Sequence, residues 1–281
     1  MTCLSFLFDL LNNQNHHTII LSRGDHLINL KHIYKKKHGK TIINDLNWHI
    51  EAGDNWILYG LNGAGKTTLL NIMNAYESVS QGEIEMFEMV PGKKGYSAEN
   101  VRQHIGFVSH SLLEKFQDGE KVIDVVLSGI FKSIGLYKEY SDEHIKEAEK
   151  LLNLVGMLSY KDQYLGYLST GQKQKVMIAR ALIHQPDVLI LDEPASGLDF
   201  LAREQLLYLL ENLNKTYAHL TMIYVTHAIE EIIPLFSKIF LLKEGSCFGK
   251  GITKDILTDS MMSKFFNNQI EVIQYRNRYH L

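Results

Sequence analysis

A glycine-rich stretch followed by a lysine and a threonine is the first part of this chain that could do chemistry. Residues 60–67 read G-L-N-G-A-G-K-T and fit the pattern G-x-x-x-x-G-K-[ST] in full. In such a loop several backbone N–H groups point at phosphates, and the helix that follows adds its positive dipole end. Lys66 should therefore reach the β- and γ-phosphates of a nucleotide, and the Thr67 hydroxyl should hold Mg²⁺. The predicted nucleotide-binding residues of this loop are Gly60, Asn62, Gly63, Ala64, Gly65, Lys66, Thr67 and Thr68.

An acidic pair closes an apolar run later in the chain. Residues 188–191 are all aliphatic, which predicts a buried strand, and Asp192 and Glu193 follow directly. Asp192 is placed to hold Mg²⁺, and Glu193 is placed to polarise the water that attacks the γ-phosphate. A solvated acidic pair at a strand end is the alternative, and the phosphate loop makes the catalytic interpretation the better one.

Two further motifs flank the acidic pair. Residues 168–172 read L-S-T-G-Q, and Thr226 and His227 follow a second apolar run at residues 223–225. Neither motif is specific alone, since short pentapeptides recur by chance and a single histidine is more often a satisfied surface or core residue. Their order and spacing after the phosphate loop give them meaning.

Together these motifs resemble those of the ABC ATPase family, and the match covers residues 27–260. The L-S-T-G-Q segment is similar to the family signature L-S-G-G-Q, with Thr170 in place of a glycine. Residues 196–199 look like the family's D-loop, and His227 looks like its switch histidine. Residues 122–129 are more distantly similar to ATPase subunits of metal- and molybdate-type importers. The resemblance implies an enzyme that binds ATP and Mg²⁺ and hydrolyses ATP to ADP and phosphate.

The resemblance also implies that two subunits clamp two ATP molecules between them. The signature residues of one subunit would face the γ-phosphate held by Lys66 of the other; these residues are Ser169, Gly171 and Gln172. A helix N-terminus suits that role, because exposed N–H groups and a hydroxyl meet an anion there. His227 would hold the attacking geometry with Glu193, and Asp199 would relay between the two nucleotide sites.

Two positions depart from the family pattern. His110 follows the strand expected at residues 105–108, where the family carries a glutamine that contacts Mg²⁺ or water. Histidine can also donate or accept there, so His110 is a candidate Mg²⁺ contact, and a solvent-facing loop residue is the alternative. The aromatic ring that stacks on adenine is either Tyr34, which has the better π-face, or His38, which lies next to Gly39.

Composition narrows the class of protein. A chain of 281 residues with 45% hydrophobic residues, 22% charged residues and a net charge of −3 is ordinary for a globular protein, and no nucleic-acid partner is expected. Two cysteines, Cys3 and Cys247, form no metal-ligand spacing and favour a reducing compartment. No window of 18 apolar residues exists, and the apolar start lacks the basic region of a signal peptide. We expect a cytoplasmic protein, peripheral on the cytoplasmic face of the cell membrane.

The apolar periodicity predicts an α/β fold. It would consist of a P-loop NTPase core with a mainly parallel sheet, an antiparallel β subdomain and an inserted helical subdomain. Strands are expected at residues 28–33, 42–50, 56–59, 83–89, 105–108, 188–191, 223–225 and 239–242. Helices are expected at residues 67–75, 142–155, capped by Ser141, and 206–213.

The same pattern of apolar and polar residues predicts how the chain divides into segments. Residues 1–26 should be a poorly ordered N-terminal extension, and residues 27–266 should form the ATPase domain. Residues 111–167 should be the helical subdomain inserted in it. Residues 267–281 form a short C-terminal segment that adds a strand or a partner contact.

Two functions are compatible with these residues. The first is the ATP-binding subunit of an ABC transporter, a homodimer that binds a polytopic membrane permease through the groove near residues 110–140. The second is a soluble ABC ATPase that acts on a cytosolic assembly. Relatives that act on DNA breaks need long coiled coils or cysteine clusters, and the sequence has neither. Stable association with a polytopic protein would favour the first function, and a wholly soluble complex the second.

Overall fold

The computed structural model describes residues 26–135 and 139–281. The strands are β1 (His26–Lys37), β2 (Lys40–Glu51), β3 (Trp56–Tyr59), β4 (Gln81–Met86), β5 (Ile105–Ser109), β6 (Val188–Asp192), β7 (Thr221–Thr226), β8 (Lys238–Lys243), β9 (Ser246–Ile252), β10 (Ile273–Tyr275) and β11 (Arg278–His280). The helices are α1 (Lys66–Met73), α2 (Ala98–Gln103), α3 (His110–Leu113), α4 (Val122–Ser128), α5 (Asp142–Leu154), α6 (Thr170–Leu182), α7 (Phe200–Thr216), α8 (Thr253–Ile256) and α9 (Asp259–Phe266).

Two sheets organise these elements. A six-stranded sheet has the order β5-β6-β7-β3-β8-β9, and its neighbours run parallel except for the antiparallel edge strand β9. A separate antiparallel sheet has the order β2-β1-β4. The predicted α/β fold, with a mainly parallel core sheet and an antiparallel β subdomain, is confirmed.

The parallel sheet is buried on both faces. In β3, Ile57 and Tyr59 belong to the core that packs against the helices α4 to α7, whereas Trp56 and Leu58 belong to the core shared with the antiparallel sheet. Side chains of a strand alternate between faces, so a strand covered on both sides must be apolar at every position. This explains why the central strands read as unbroken apolar runs.

Helices fill the chain between β5 and β6. The Ser141 hydroxyl accepts a hydrogen bond from the N–H of His144, and His144 Nδ1 accepts one from the N–H of Ser141 at 3.1 Å. This reciprocal capping box satisfies two helix-start donors and fixes the beginning of α5. Ala148 and Leu152 are then buried on one face. The helix and the cap predicted for this region are present.

One strand differs from the sequence expectation. The strand expected at residues 83–89 ends at Met86, because Phe87 and Glu88 have φ values of 52° and 63° that turn the chain away from the sheet. The C-terminal segment, expected to add a strand or a partner contact, contains a two-stranded hairpin of β10 with β11.

The N-terminal extension expected at residues 1–26 lies outside the described residues, apart from His26, which begins β1. The boundaries at residues 27–266, 111–167 and 267–281 stay predictions. Within the two described ranges, no helix has both the length and the apolar character that a bilayer crossing requires.

Gly245 joins the antiparallel sheet to the phosphate loop. Its N–H donates to the carbonyl of Ala64 at 2.9 Å, and its carbonyl accepts from the N–H of Asn44 at 2.9 Å. Its φ is +75°, and an added Cβ would lie 2.1 Å from the carbonyl oxygen of Ile42. We therefore expect Gly245→Ala to lower the free energy of unfolding by about 3 kcal/mol or more, measured by urea denaturation.

Gly53 supplies the matched control. It also has a positive φ of +81°, but an added Cβ there would meet no atom within 4 Å. Gly53→Ala should therefore lose only the ~1–2 kcal/mol of a left-handed residue. Equal losses in the two variants would show that the close approach of Gly245 to Ile42 contributes nothing.

Candidate active site

A cleft of about 640 Å³ opens where β3, β5 and β6 end. Ligands of open α/β sheets bind outside the carboxyl ends of the strands, so this edge is the expected place for a site. The cleft is lined by Ile42, Leu61, Asn62, Gly63, Gly65, Lys66, Thr67, Thr68, Ser109, His110, Ser111, Asp192, Glu193 and Ser196. The fold thus brings the phosphate loop, the acidic pair and His110 to one place.

The phosphate loop lies between β3 and α1. Gly63 and Gly65 have φ values of 80° and 104°, a region open to glycine at little cost. The nearly buried Lys66 Nζ lies 2.8 Å from the carbonyl oxygen of Gly60 and 3.1 Å from Glu193 Oε1. Its ammonium group is therefore held at the mouth of the loop, beside the acidic pair.

Glu193 is held from three sides. Its φ is 48°, and its N–H donates to the carbonyl of Val225 at 3.0 Å, which turns the chain sharply after β6. Its Oε1 lies 3.1 Å from Lys66 Nζ and 3.2 Å from His227 Nδ1. Burial raises the pKa of Glu193, but the hydrogen bonds and charges of Lys66 and His227 outweigh it, so the pKa of this carboxyl lies below its usual range. The group is an ionised base at neutral pH.

Asp192 has the opposite environment. Burial raises the pKa of Asp192 from 3.8 to about 6; the charge of Glu193 adds to the rise, and that of Lys66 opposes it. The surroundings of these two neighbouring carboxyl groups therefore shift their pKa values in opposite directions.

Mg²⁺ fits the residues present. The Thr67 hydroxyl and the Asp192 carboxyl both line the cleft, and Mg²⁺ prefers oxygen ligands from one or two side chains together with phosphate oxygens. A divalent cation would also neutralise the carboxylate that burial disfavours. Asp192 and Thr67 are therefore the candidate ligands.

The raised pKa of Asp192 predicts how the stability of the metal-free protein depends on pH. Between pH 3.8 and about 6 the folded protein binds more protons at this group than the unfolded chain, so stability falls as pH rises through that window. Asp192→Asn removes this cost. We expect the variant to melt at a higher temperature than the wild type at pH 8, and the difference to shrink towards pH 4. Asp118, whose side chain is 84% exposed, gives the control Asp118→Asn, for which no such trend is expected.

His227 follows β7, and its side chain is half exposed at the side of Glu193. Behind it, the Thr226 hydroxyl donates to Glu231 Oε2 at 2.6 Å, and the Tyr224 hydroxyl donates to the same oxygen at 3.0 Å. Glu231 is buried, so this network fixes the backbone that carries His227. No motif points to Glu231; its only sequence signal is an acid placed among apolar residues.

His110 lines the cleft but also faces solvent. It is the first residue of α3, its side chain is 59% exposed, and its Nδ1 lies 3.4 Å from Glu114 Oε1. Ser109 caps the same helix by accepting from the N–H of Leu112. Contact between His110 and Mg²⁺ stays a prediction. Three cleft residues are not marked by any motif: Ile42, Ser109 and Ser111.

The signature residues lie away from this cleft. Ser169 caps α6, with its hydroxyl accepting from the N–H of Gln172 and the Gln172 side chain accepting from the N–H of Ser169. Asp199 caps α7 in the same way, by accepting from the N–H of Ala202 at 2.8 Å. The two helix starts are neighbours, because an added Cβ on Gly171 would lie 3.3 Å from Ala202 Cβ. Ser169 and Asp199 are exposed, so both are available to a second molecule.

The two candidates for adenine stacking also lie outside the cleft lining. Tyr34 is half-buried in β1 opposite Gln81, and His38 is exposed in the turn between β1 and β2, with a φ of 48°. The choice between Tyr34 and His38 stays open.

Comparison with known proteins agrees with this geometry. Residues 43–196 match the family model described as ABC transporter. The chain is 42% identical over 252 residues to the uncharacterized ABC transporter ATP-binding protein YlmA of Bacillus subtilis strain 168. The aligned region covers 90% of this chain and 95% of YlmA. The chain is also 32% identical over 271 residues to the methionine import ATP-binding protein MetN of Lactobacillus acidophilus, covering 91% of this chain and 74% of that one.

A solved structure is also similar. The dimeric bacterial ABC transporter cassette MJ0796 matches with a TM-score of 0.68 and 27% identity, over 80% of this chain and 98% of that chain. Fold, motif order and sequence similarity over most of the length agree, and the chain therefore belongs to the ABC transporter family of ATP-binding proteins.

Proposed function

We propose that this protein is the ATP-hydrolysing subunit of an ABC transporter, which acts as an ATP-sandwich homodimer and drives a separate transmembrane permease from the cytoplasmic face of the membrane. The observation that carries the hydrolytic part is the position of Glu193 Oε1, which lies 3.1 Å from Lys66 Nζ and 3.2 Å from His227 Nδ1. A phosphate-binding cation, an ionised base and a histidine meet at one point of the cleft.

Each residue of the site would have its own role in ATP hydrolysis. Lys66 and the N–H groups of the phosphate loop would neutralise the charge on the β- and γ-phosphates. Glu193 would accept the proton of the attacking water, and its lowered pKa keeps it ionised for that task. His227 would hold the Glu193 carboxylate and the γ-phosphate in line. Mg²⁺ bound by Thr67 and Asp192 would supply further neutralisation of the phosphate oxygens.

The homodimer is supported by where the signature lies. Ser169 sits exposed at the start of α6, outside the cleft of its own subunit, where its hydroxyl and the N–H groups of the helix could meet an anion on another molecule. Asp199 lies beside it at the start of α7. A relative with 27% identity forms a dimeric structure. We propose that Ser169, Gly171 and Gln172 complete the nucleotide site of the second subunit.

The permease would bind beside the helical region near residues 110–140. A cavity of about 260 Å³ lies there, and Arg102, Lys132 and Arg180 are among its lining residues. Burial lowers the pKa of Lys132 to about 7, with the charges of Arg102 and Arg180 adding to the effect. Basic side chains gather here, half-buried at Arg102 and Lys132 and buried at Arg180, without an acidic group among the described lining residues. Such a group suits a surface that is completed by another protein.

A membrane capture experiment tests this function. Tagged Glu193→Gln protein would be held in ATP and Mg²⁺, the membranes would be solubilised gently, and the proteins that accompany it would be identified. A polytopic membrane protein at comparable abundance is the expected result. Capture of soluble proteins alone, or of the tagged protein alone, would contradict the transporter function and leave the family's cytosolic assembly role.

Lys66→Ala serves as the control for nucleotide dependence. It should fold, because Lys66 contacts only loop carbonyls and Glu193 among the described contacts, yet it should not retain ATP. A polytopic protein captured equally by Lys66→Ala would show that the contact with the permease does not require bound ATP, and it would leave the transporter function standing.

A further inference from the structure

Three potential metal ligands meet where β1 begins and β2 ends. His26 of β1 is the cross-strand partner of Glu51 in β2, and His49 lies two positions before Glu51 on the same face of the sheet. One ligand atom from each of the three side chains lies within 4.8 Å of the others. Among residues 26–135 and 139–281, these three side chains form the one group of three or more His, Cys, Asp or Glu residues that could hold a metal ion.

The register of the two strands creates this arrangement. A bulge between His26 and Ile28 shifts the pairing by one residue, so that His26 approaches His49 as well as its direct partner. The imidazole rings of His26 and His49 contact each other edge to face, with centroids 4.3 Å apart and an interplanar angle of 65°. His49 Nε2 lies 3.5 Å from Glu51 Oε1.

The cluster has little value as an ordinary ion pair. The side chains of His49 and Glu51 are 39% and 46% exposed, and an exposed pair of this kind contributes about 0–1 kcal/mol. The second imidazole adds nothing to such a pair and would repel His49 if both were charged. Two neutral imidazoles and a carboxylate are instead the ligand types that borderline divalent cations bind in proteins.

We propose that His26, His49 and Glu51 bind one first-row transition-metal ion of the Zn²⁺ type, with water in the remaining position. Tetrahedral coordination at roughly 2.0–2.2 Å places ligand atoms roughly 3.3–3.6 Å apart, so the side chains would close slightly around the ion. His26 is exposed at the first position of β1, where rotation of its side chain is unobstructed by the core. Imidazole ligands favour Zn²⁺, Ni²⁺ and Cu²⁺ over Mg²⁺.

This site is separate from the ATP cleft. β2 runs from the cleft residue Ile42 to Glu51, and strand geometry places His49 roughly 20 Å from Ile42. A bound ion would cross-link β1 to β2 at the edge of the antiparallel sheet. Because it would bind the folded protein and not the unfolded chain, it would raise the melting temperature without requiring ATP.

Calorimetric titration of the metal-free full-length protein with ZnCl₂, and separately with MgCl₂, tests the proposal. We expect His49→Ala to lose one equivalent of Zn²⁺ relative to the wild type, and Glu51→Gln to weaken that equivalent at least ~10-fold. The Zn²⁺-dependent rise in melting temperature should fall in parallel. Comparing variants with the wild type matters, because Cys3, His16 and His17 in residues 1–25 offer other ligand types.

His32→Ala is the matched control. His32 Nδ1 lies 2.8 Å from Asp45 Oδ1 on the same two strands, a histidine–carboxylate pair without the second imidazole. This variant should keep the full Zn²⁺ stoichiometry. The proposal is overturned if His49→Ala binds as much Zn²⁺ as the wild type, or if His32→Ala loses as much Zn²⁺ as His49→Ala. It is also overturned if Mg²⁺ binds the wild type as tightly as Zn²⁺ does and His49→Ala abolishes that Mg²⁺ binding.

Discussion

Glu193→Gln should abolish turnover while leaving ATP bound. The amide has the shape of the carboxylate and can still accept hydrogen bonds from Lys66 Nζ and His227, which lie 3.1 Å and 3.2 Å from Oε1. It cannot accept a proton from water. We therefore expect the rate constant of ATP hydrolysis to fall about 10²–10⁴-fold, the usual contribution of a positioned base. Single-turnover hydrolysis and equilibrium ATP binding, measured on the same preparation, separate the two effects.

Glu204→Gln provides the comparison for this variant. Glu204 lies on α7, and its Oε2 lies 2.6 Å from Arg278 Nη2, so it is also a carboxylate held by a cation, but it does not line the cleft. Its hydrolysis rate should stay close to that of the wild type. Wild-type turnover in Glu193→Gln would show that another group activates the water, and equal losses in both variants would point to a general structural effect.

Local sequence patterns were sufficient to predict most elements that carry the site. The apolar runs predicted the strands that end at Tyr59, Asp192 and Thr226, because strands buried on both faces need apolar residues at every position. The Ser141 cap was equally readable, since a capping box is made by residues close in the chain. The strand expected to reach residue 89 was wrong at its end, because nothing local indicates the left-handed turn at Phe87 and Glu88.

Contacts between distant segments could not be predicted in the same way. The clamp on Glu193 by Lys66 and His227 depends on the order of the strands in the sheet, which only the folded chain reveals. The buried Glu231 behind His227 is a similar case, since its partners become clear only when Thr226 and Tyr224 point the same way. The register of β1 with β2, which gathers the proposed metal ligands, includes a bulge that the sequence does not signal.

Mixed dimers should show whether the signature acts on the partner's nucleotide. Lys66→Ala removes the phosphate contact of one subunit, and Ser169→Glu places a negative charge at the exposed start of α6, where the γ-phosphate of the other subunit is expected. Each variant alone should retain no ATP and hydrolyse none. In a heterodimer of the two, purified through two different tags, one nucleotide site carries both changes and the other carries neither. We expect that dimer to retain one ATP where each homodimer retains none.

Retention of ATP by the heterodimer depends on which subunit supplies Ser169. If the signature acted within its own subunit, each site of the heterodimer would carry one change, and no ATP would be retained. The reciprocal control joins the wild type to a chain with both Lys66→Ala and Ser169→Glu: the dimer proposed here then has one change at each site and should retain no ATP. Retention by this control, together with none in the first heterodimer, would place Ser169 on its own subunit's nucleotide and contradict the sandwich. The exposed position of Ser169 outside its own cleft is the physical reason to expect the opposite result.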